Sequence, residues 1–200
     1  MKQLAIFSSG AGSNAARIID HFRFHPSIKV SLIVCNKAGA GVLDIAGKEA
    51  IPVLLIEKEA FFHGSAYVQE LKERQIDLIV LAGFLWKIPT ALVQEYKGRI
   101  INIHPALLPK HGGKGMYGRH VHEAVIGAGE KETGITIHYV DEFYDHGQAI
   151  FQAQTAVDPG DTPETLARKV QRLEHEHFPR VIEEVVYSSS RPRGDLQNHR

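Results

Sequence analysis

Asn102 and His104 stand two residues apart at the end of an apolar run, in the segment Ile101-Asn102-Ile103-His104-Pro105. If that run is a strand, alternation sends Asn102 and His104 to one face and Ile101 and Ile103 to the other. An amide donor and an imidazole then converge at a strand's carboxyl end, where open α/β sheets hold their ligands. Further on, Val140-Asp141-Glu142-Phe143-Tyr144-Asp145-His146-Gly147 reads as a strand end followed by an acidic loop. A carboxylate brought beside the pair would orient the imidazole, raise its pKa and accept a proton. Three acidic residues compete for that place, and spacing does not choose between Asp141 and Asp145. A third segment, Ser9-Gly10-Ala11-Gly12-Ser13-Asn14, is a glycine-rich turn that feeds a helix. Free backbone N–H groups and the positive end of the helix dipole suit a phosphate there. The spacing is GxGSN rather than GxGxxG, and no P-loop lysine follows, so a monophosphate fits better than a dinucleotide or a nucleoside triphosphate.

The elements that would position these residues follow from periodicity. Short β-branched runs at Leu4–Ser8, Val30–Cys35, Pro52–Ile56, Leu78–Ala82 and Ile100–Ile103 alternate with amphipathic stretches at Asn14–Phe24, Val42–Glu49 and Ala66–Arg74. That is the pattern of parallel strands joined by crossover helices. After Asn102 come the glycine-rich KHGGKGMYGR, a helical HVHEAVIGAG, and two alternating runs, GITIHYV and AIFQAQTAV, which read as an antiparallel pair. Asp161-Thr162-Pro163-Glu164 then opens a helix, with Asp or Thr as cap, Pro in the first turn, and Leu166, Val170, Leu173 and His177 at helical spacing. The expected architecture is a Rossmann-like, mostly parallel twisted sheet flanked by helices, with an antiparallel strand pair in the C-terminal half. One domain over residues 1–187 accounts for the chain, and the segment from Ser188 to 200 is expected to be a mobile tail.

Composition narrows the class. Lys plus Arg equal Asp plus Glu at 23 each, so no overall cationic field draws the chain to nucleic acid or an anionic membrane. The single cysteine, Cys35, lies in an apolar run, as a small core residue would, and suits a reducing compartment. No apolar stretch approaches the roughly 20 residues of a membrane span, and the expected location is the cytoplasm. Among the histidines, His120/His122 and His175/His177 are spaced by two on helices, which turns their side chains about 200° apart and rules out chelation from one face. No metal is expected.

Six segments, taken in order, resemble the folate-dependent formyltransferases and, among them, the phosphoribosylglycinamide formyltransferases. They are SSGAGSN at 8–14, CNKAGAG at 35–41, LAGFLWKIP at 81–89, INIHPALLPKHGG at 101–113, GITIHYVDEFYDHGQAI at 134–150 and RKVQRLEHEHFP at 168–179. The resemblance covers almost the whole chain. It implies a catalytic set of Asn102, His104 and Asp145, the last because it stands two residues before Gly147 in the family's DxxDxG loop. It implies phosphate contacts from Gly12, Ser13 and Asn14 and a ribose contact from Glu174. It also implies a folate pocket against Phe84, Leu85, Trp86, Lys87 and Ile88 and the loop from Val140. The substrates implied are 10-formyltetrahydrofolate, as co-substrate, and 5′-phosphoribosylglycinamide of de novo purine (IMP) biosynthesis, with no nucleic acid or membrane partner and a monomer or homodimer.

The residue types suit that chemistry. A primary amine attacks the formyl carbon, and an oxyanion develops in a tetrahedral intermediate. Asn102 and a protonated His104 would donate hydrogen bonds to it, each such donor being worth roughly 10²–10³ in rate. Asp145 would keep His104 charged and relay a proton. No serine or cysteine nucleophile is matched by the motifs, so direct aminolysis is expected. Two features depart from the family pattern. The loop after His104 is lengthened by GGKGMYGR, whose Gly112, Gly113, Gly115 and Gly118 would suit a lid over residues 111–119. His63-Gly64 stands where the family has a basic residue near the folate tail. Related enzymes set the alternatives. A formyltetrahydrofolate hydrolase would use water in place of the amine and carry an N-terminal regulatory domain, whereas the first strand here begins at Leu4. A methionyl-tRNA formyltransferase would append a basic C-terminal domain. A formyltransferase for a sugar-nucleotide amine would lack the SGxGSN turn, and a silent binding module would have no need of the polar triad.

Overall fold

The short β-branched runs and the amphipathic stretches between them form the expected strands and helices. In chain order the elements are β1 (Lys2–Ser8), α1 (Ser13–Phe22), β2 (Ile28–Cys35), α2 (Gly41–Lys48), β3 (Val53–Leu55), α3 (Lys58–His63), α4 (Ala66–Glu73), β4 (Leu78–Leu81), α5 (Thr90–Glu95) and β5 (Ile100–His104). They continue with α6 (Arg119–Gly127), β6 (Glu132–Tyr139), β7 (Ala149–Ala156) and α7 (Pro163–Ser189). The structure is a computed structural model and describes residues 1–63 and 65–189.

Among the described residues seven strands form one sheet in the order β3-β2-β1-β4-β5-β6-β7. Strands β1 to β5 pair in parallel, whereas β5 with β6 and β6 with β7 pair antiparallel. The expected hairpin partners are therefore joined to the parallel sheet by a second antiparallel ladder. Strand alternation divides the core in two. Leu4, Ile6, Leu78, Val80, Ile101 and Ile103 face α1 and α7, meeting Ile18, Phe22, Phe178 and Ile182. Ala5, Phe7, Ile79, Leu81 and Ile100 face the other way, toward Phe61, Leu71 and Leu92 of α3, α4 and α5. Cys35 is a buried free thiol within the first of these layers.

Helices α3 and α5 were not anticipated. Each is six residues long, less than two turns, and periodicity needs a longer window to register. The start of α7 is fixed as the sequence suggests: the Thr162 and Thr165 hydroxyls each accept the other residue's backbone N–H, at 3.3 and 2.9 Å. That helix continues through Ser188 to Ser189, so the proposed tail boundary falls inside it, and the rest of the tail, residues 190–200, lies outside the described residues.

Because β1 is flanked by β2 on one side and β4 on the other, the chain leaves it in opposite directions. This is the switch point at which doubly wound sheets open a crevice beyond the strand ends. The turn after β1, the turn after β4 and the end of β5 meet there.

Candidate active site

The carboxyl end of β5 carries Asn102 and His104 on the face shared with Ile100, as alternation requires. His104 is 3% exposed. The turn that follows it is stitched to the neighbouring strands. Thr136 of β6 donates its hydroxyl to the Ala106 carbonyl at 2.8 Å and accepts from Leu108 N–H at 3.0 Å, while Gln152 of β7 bonds the Thr136 hydroxyl and the Leu108 carbonyl. The Leu108–Pro109 peptide within that turn is cis.

The loop after β6 decides between the two aspartates. Asp141 is consumed by its own loop, accepting from Phe143 N–H at 2.8 Å and lying 2.8 Å from His146 Nδ1. Asp145 faces the pair. Its Oδ2 lies 3.5 Å from His104 Nδ1 and accepts from Gly113 N–H at 3.0 Å, and its Oδ1 is 3.5 Å from Asn102 Nδ2. Asp145 adopts φ 51°, a left-handed conformation that aspartate tolerates better than most residues. Gly147 pins the loop: a Cβ there would stand 1.8 Å from the Tyr139 carbonyl oxygen, so only glycine allows the close approach to β6.

Sequence reasoning missed His138, which the β5–β6 register places directly opposite Asn102. Its Nδ1 lies 2.8 Å from the Tyr139 carbonyl and must donate to it, which leaves Nε2 as the acceptor for Asn102 Nδ2 at 3.1 Å. The same Nε2 is 3.7 Å from Asp145. The signal was in the alternation of GITIHYV, which puts His138 on the face of Thr136.

The electrostatics correct one expectation. Burial lowers the pKa of His104, and neither the Asp145 carboxylate nor the His111 carbonyl offsets it, so the free protein holds this imidazole neutral at pH 7. Its proton resides on Nε2, which donates to the His111 carbonyl at 2.8 Å, and Nδ1 faces Asp145 bare. For Asp145, burial alone would raise the pKa, but its contacts with His138, His104 and the Gly113 N–H together hold it below the usual carboxylate range.

These groups line a cavity of about 900 Å³ that runs on to Asn14, Gln171 and Glu174. Asn14 Nδ2 donates to Glu174 at 2.9 Å, and Gln171 Nε2 donates to the Ser13 hydroxyl at 3.2 Å. Burial raises the Glu174 pKa, with the Asn14 bond opposing it. Such a carboxylate is short of donors, a need that hydroxyl groups of a ligand would meet. Helix α1 has no side-chain cap, which leaves its first amides free. Gly12 adopts φ 80°, and a Cβ there would stand 2.9 Å from Val42 Cβ and 3.0 Å from Ile45 Cδ1 of α2, so glycine lets the turn lie close against that helix.

Of the residues expected around folate, Phe84 and Leu85 line the cavity, and Leu85 is 52% exposed. Trp86 packs its ring 5.7 Å from those of Phe61 and Phe62, and Ile88 is buried in the core behind it. Lys87 lies over the Tyr144 ring at 6.0 Å, and Val140 N–H is bonded to the Ile100 carbonyl. Among the described residues no three His, Cys, Asp or Glu side chains are grouped to hold a metal, and no helix is long and apolar enough to cross a membrane.

The Formyl transferase family model matches residues 2–182, which span both the cavity and the sheet that carries it. The chain belongs to the formyl transferase family. It is 36% identical over 196 residues to the phosphoribosylglycinamide formyltransferase of Bacillus subtilis, covering 96% of this chain and 98% of that one. It is 42% identical over 188 residues to the chloroplastic phosphoribosylglycinamide formyltransferase of Arabidopsis thaliana, covering 90% of this chain and spanning 64% of that longer protein. The crystal structure of phosphoribosylglycinamide formyltransferase from Bacillus halodurans superposes with a TM-score of 0.85 at 37% identity, covering 98% of this chain and 100% of the other. Within that family, the chain has the mostly parallel sheet with an antiparallel β5-β6-β7 part that its sequence suggests.

Proposed function

We propose that this chain transfers the formyl group of 10-formyltetrahydrofolate to the amine of 5′-phosphoribosylglycinamide, a step of purine biosynthesis. The observation that carries the reading is one cavity with two chemistries: Asn102, His104 and Asp145 at one end, and the uncapped α1 turn with buried Glu174 at the other. The apolar wall of Phe84 and Leu85 beside the first group suits a flat pterin. The folate supplies an N-formyl group. The protein residues supply the rest.

Asn102 has one N–H committed to His138 and a second that faces Asp145 at the outer limit of bonding, so the second is free to turn to an oxyanion. Neutral His104 is able to take a proton at Nδ1, and ionised Asp145 stabilises the imidazolium that results. Glu174 and Asn14 fix the ribose end, and the α1 amides receive the phosphate. Cys35 is buried and unpaired, which suits a cytoplasmic enzyme.

The test follows the absorbance of deformylated folate with and without the nucleotide. Turnover that depends on the nucleotide is expected. Equal rates without it would establish hydrolysis instead, and no turnover in either case would remove the reading.

A further inference from the structure

Among the described residues, Asn14 and His122 each bury a side-chain atom with no hydrogen-bond partner, and both line the same cavity. His122 is the fourth residue of α6 and is 5% exposed. Its Nδ1 is sealed and unpaired, and among the described residues no group bonds its Nε2 either. The two other buried imidazoles of the site differ, since His104 and His138 each have a neighbour at both nitrogens. Leaving a buried polar group unpaired works against folding. The position next to it carries no such cost, because Val121 packs with Val125, Ala106 and Leu166 in an apolar cluster. A leucine at 122 would serve the fold as well.

The tautomer follows from the same cost. Orphaned buried N–H groups are rarer than orphaned acceptors, so Nδ1 is the bare nitrogen and the proton sits on Nε2, the nitrogen left to face the cavity. Burial and the neighbouring His104 both disfavour a second proton. His122 thus offers one donor to a cavity in which Asn14 Oδ1 and the Glu174 carboxylate are acceptors, with His104 as its electrostatic neighbour. Arg119, on the same turn of α6, is tied to Glu123 and Glu164 and does not compete.

Building on the function proposed above, we infer that His122 contacts the phosphorylated amine, donating its Nε2–H to an oxygen on the ligand's phosphoribosyl side. The test is calorimetric titration of the full chain with 5′-phosphoribosylglycinamide, comparing wild type, His122→Leu and His122→Gln. The expected result is about tenfold weaker binding for His122→Leu, the scale of one lost hydrogen bond to a charged or polar ligand group. His122→Gln recovers part of it, binding of 10-formyltetrahydrofolate is equal in all three, and the thermal midpoint of His122→Leu is no lower than wild type. Equal nucleotide affinity in His122→Leu overturns the inference while leaving the formyl-transfer reading intact. Equal weakening toward both ligands with a lowered midpoint assigns His122 to packing and overturns it as well. Absence of nucleotide binding by the wild type overturns the functional reading itself, and the contact with it. Should His122→Leu fail to fold, the Nε2 resonance of ¹⁵N-histidine-labelled protein gives the answer: it shifts when the nucleotide is added if the contact exists, and an unmoved signal refutes it.

Discussion

Replacing Asp145 by Asn removes a charge and keeps the shape. In the structure the carboxylate lies 3.5 Å from His104 Nδ1, a separation at which unit charges interact by about 4–5 kcal/mol at an effective dielectric near 20. The amide dipole recovers part of this, so about 3 kcal/mol of imidazolium stabilisation is lost, or roughly 10² in turnover. The Gly113 N–H to Oδ2 bond survives if the new amide presents its oxygen there, so the loop is expected to keep its place and the thermal midpoint to move little. The assay is the pH dependence of kcat for formyl transfer. Neutral His104 is the reactive form, so kcat rises with pH through its pKa. Asp145 opposes the lowering of that pKa by burial, so its removal shifts the acid limb to lower pH while the plateau falls. A plateau within threefold of wild type, or an acid limb that does not move, would refute the coupling of Asp145 to His104.

Three further outcomes are expected. Gly147→Ala places a Cβ 1.8 Å from the Tyr139 carbonyl; the loop must shift, carrying Asp145 with it, and kcat should fall more than tenfold, whereas an active variant with unchanged kcat would show that the loop's seat on β6 is dispensable. Glu174→Ala should raise the Michaelis constant for the nucleotide by about tenfold and leave that for folate nearly unchanged; equal losses would refute the divided cavity. Stability should fall on acidification below about pH 6.5. His104, His122 and His175 all have pKa values lowered chiefly by burial, so below the unfolded value the unfolded chain binds protons that the folded one refuses. Asp145, with its lowered pKa, adds a loss in the same direction at lower pH. Thermal midpoints recorded from pH 7.5 to 5.5 check this, and a flat or rising profile toward acid would contradict it.

The long elements were legible because their patterns are long. Alternation in β5 put Asn102 and His104 on one face, and the cap at Thr162 announced α7. The six-residue helices α3 and α5 were not legible, since neither completes two turns. The choice between Asp141 and Asp145 turned on which carboxylate the loop uses for itself, a matter of backbone path that spacing does not encode. His138 was hidden for a related reason: its importance comes from pairing with Asn102 across a ladder whose register depends on β6 folding back on β5. Trp86 shows the converse, since its type suggested a ligand wall and its neighbours Phe61 and Phe62 draw it into the packing of α3. The neutral state of His104 followed from a burial that no residue-by-residue reading measures.

The most direct test of the account supplies 10-formyltetrahydrofolate labelled with ¹³C in the formyl group, together with 5′-phosphoribosylglycinamide, and follows the label by NMR. The account requires the label to appear in a formamide on the nucleotide, in step with deformylated folate and dependent on Asn102, His104 and Asp145. Label released as free formate at an undiminished rate would contradict it.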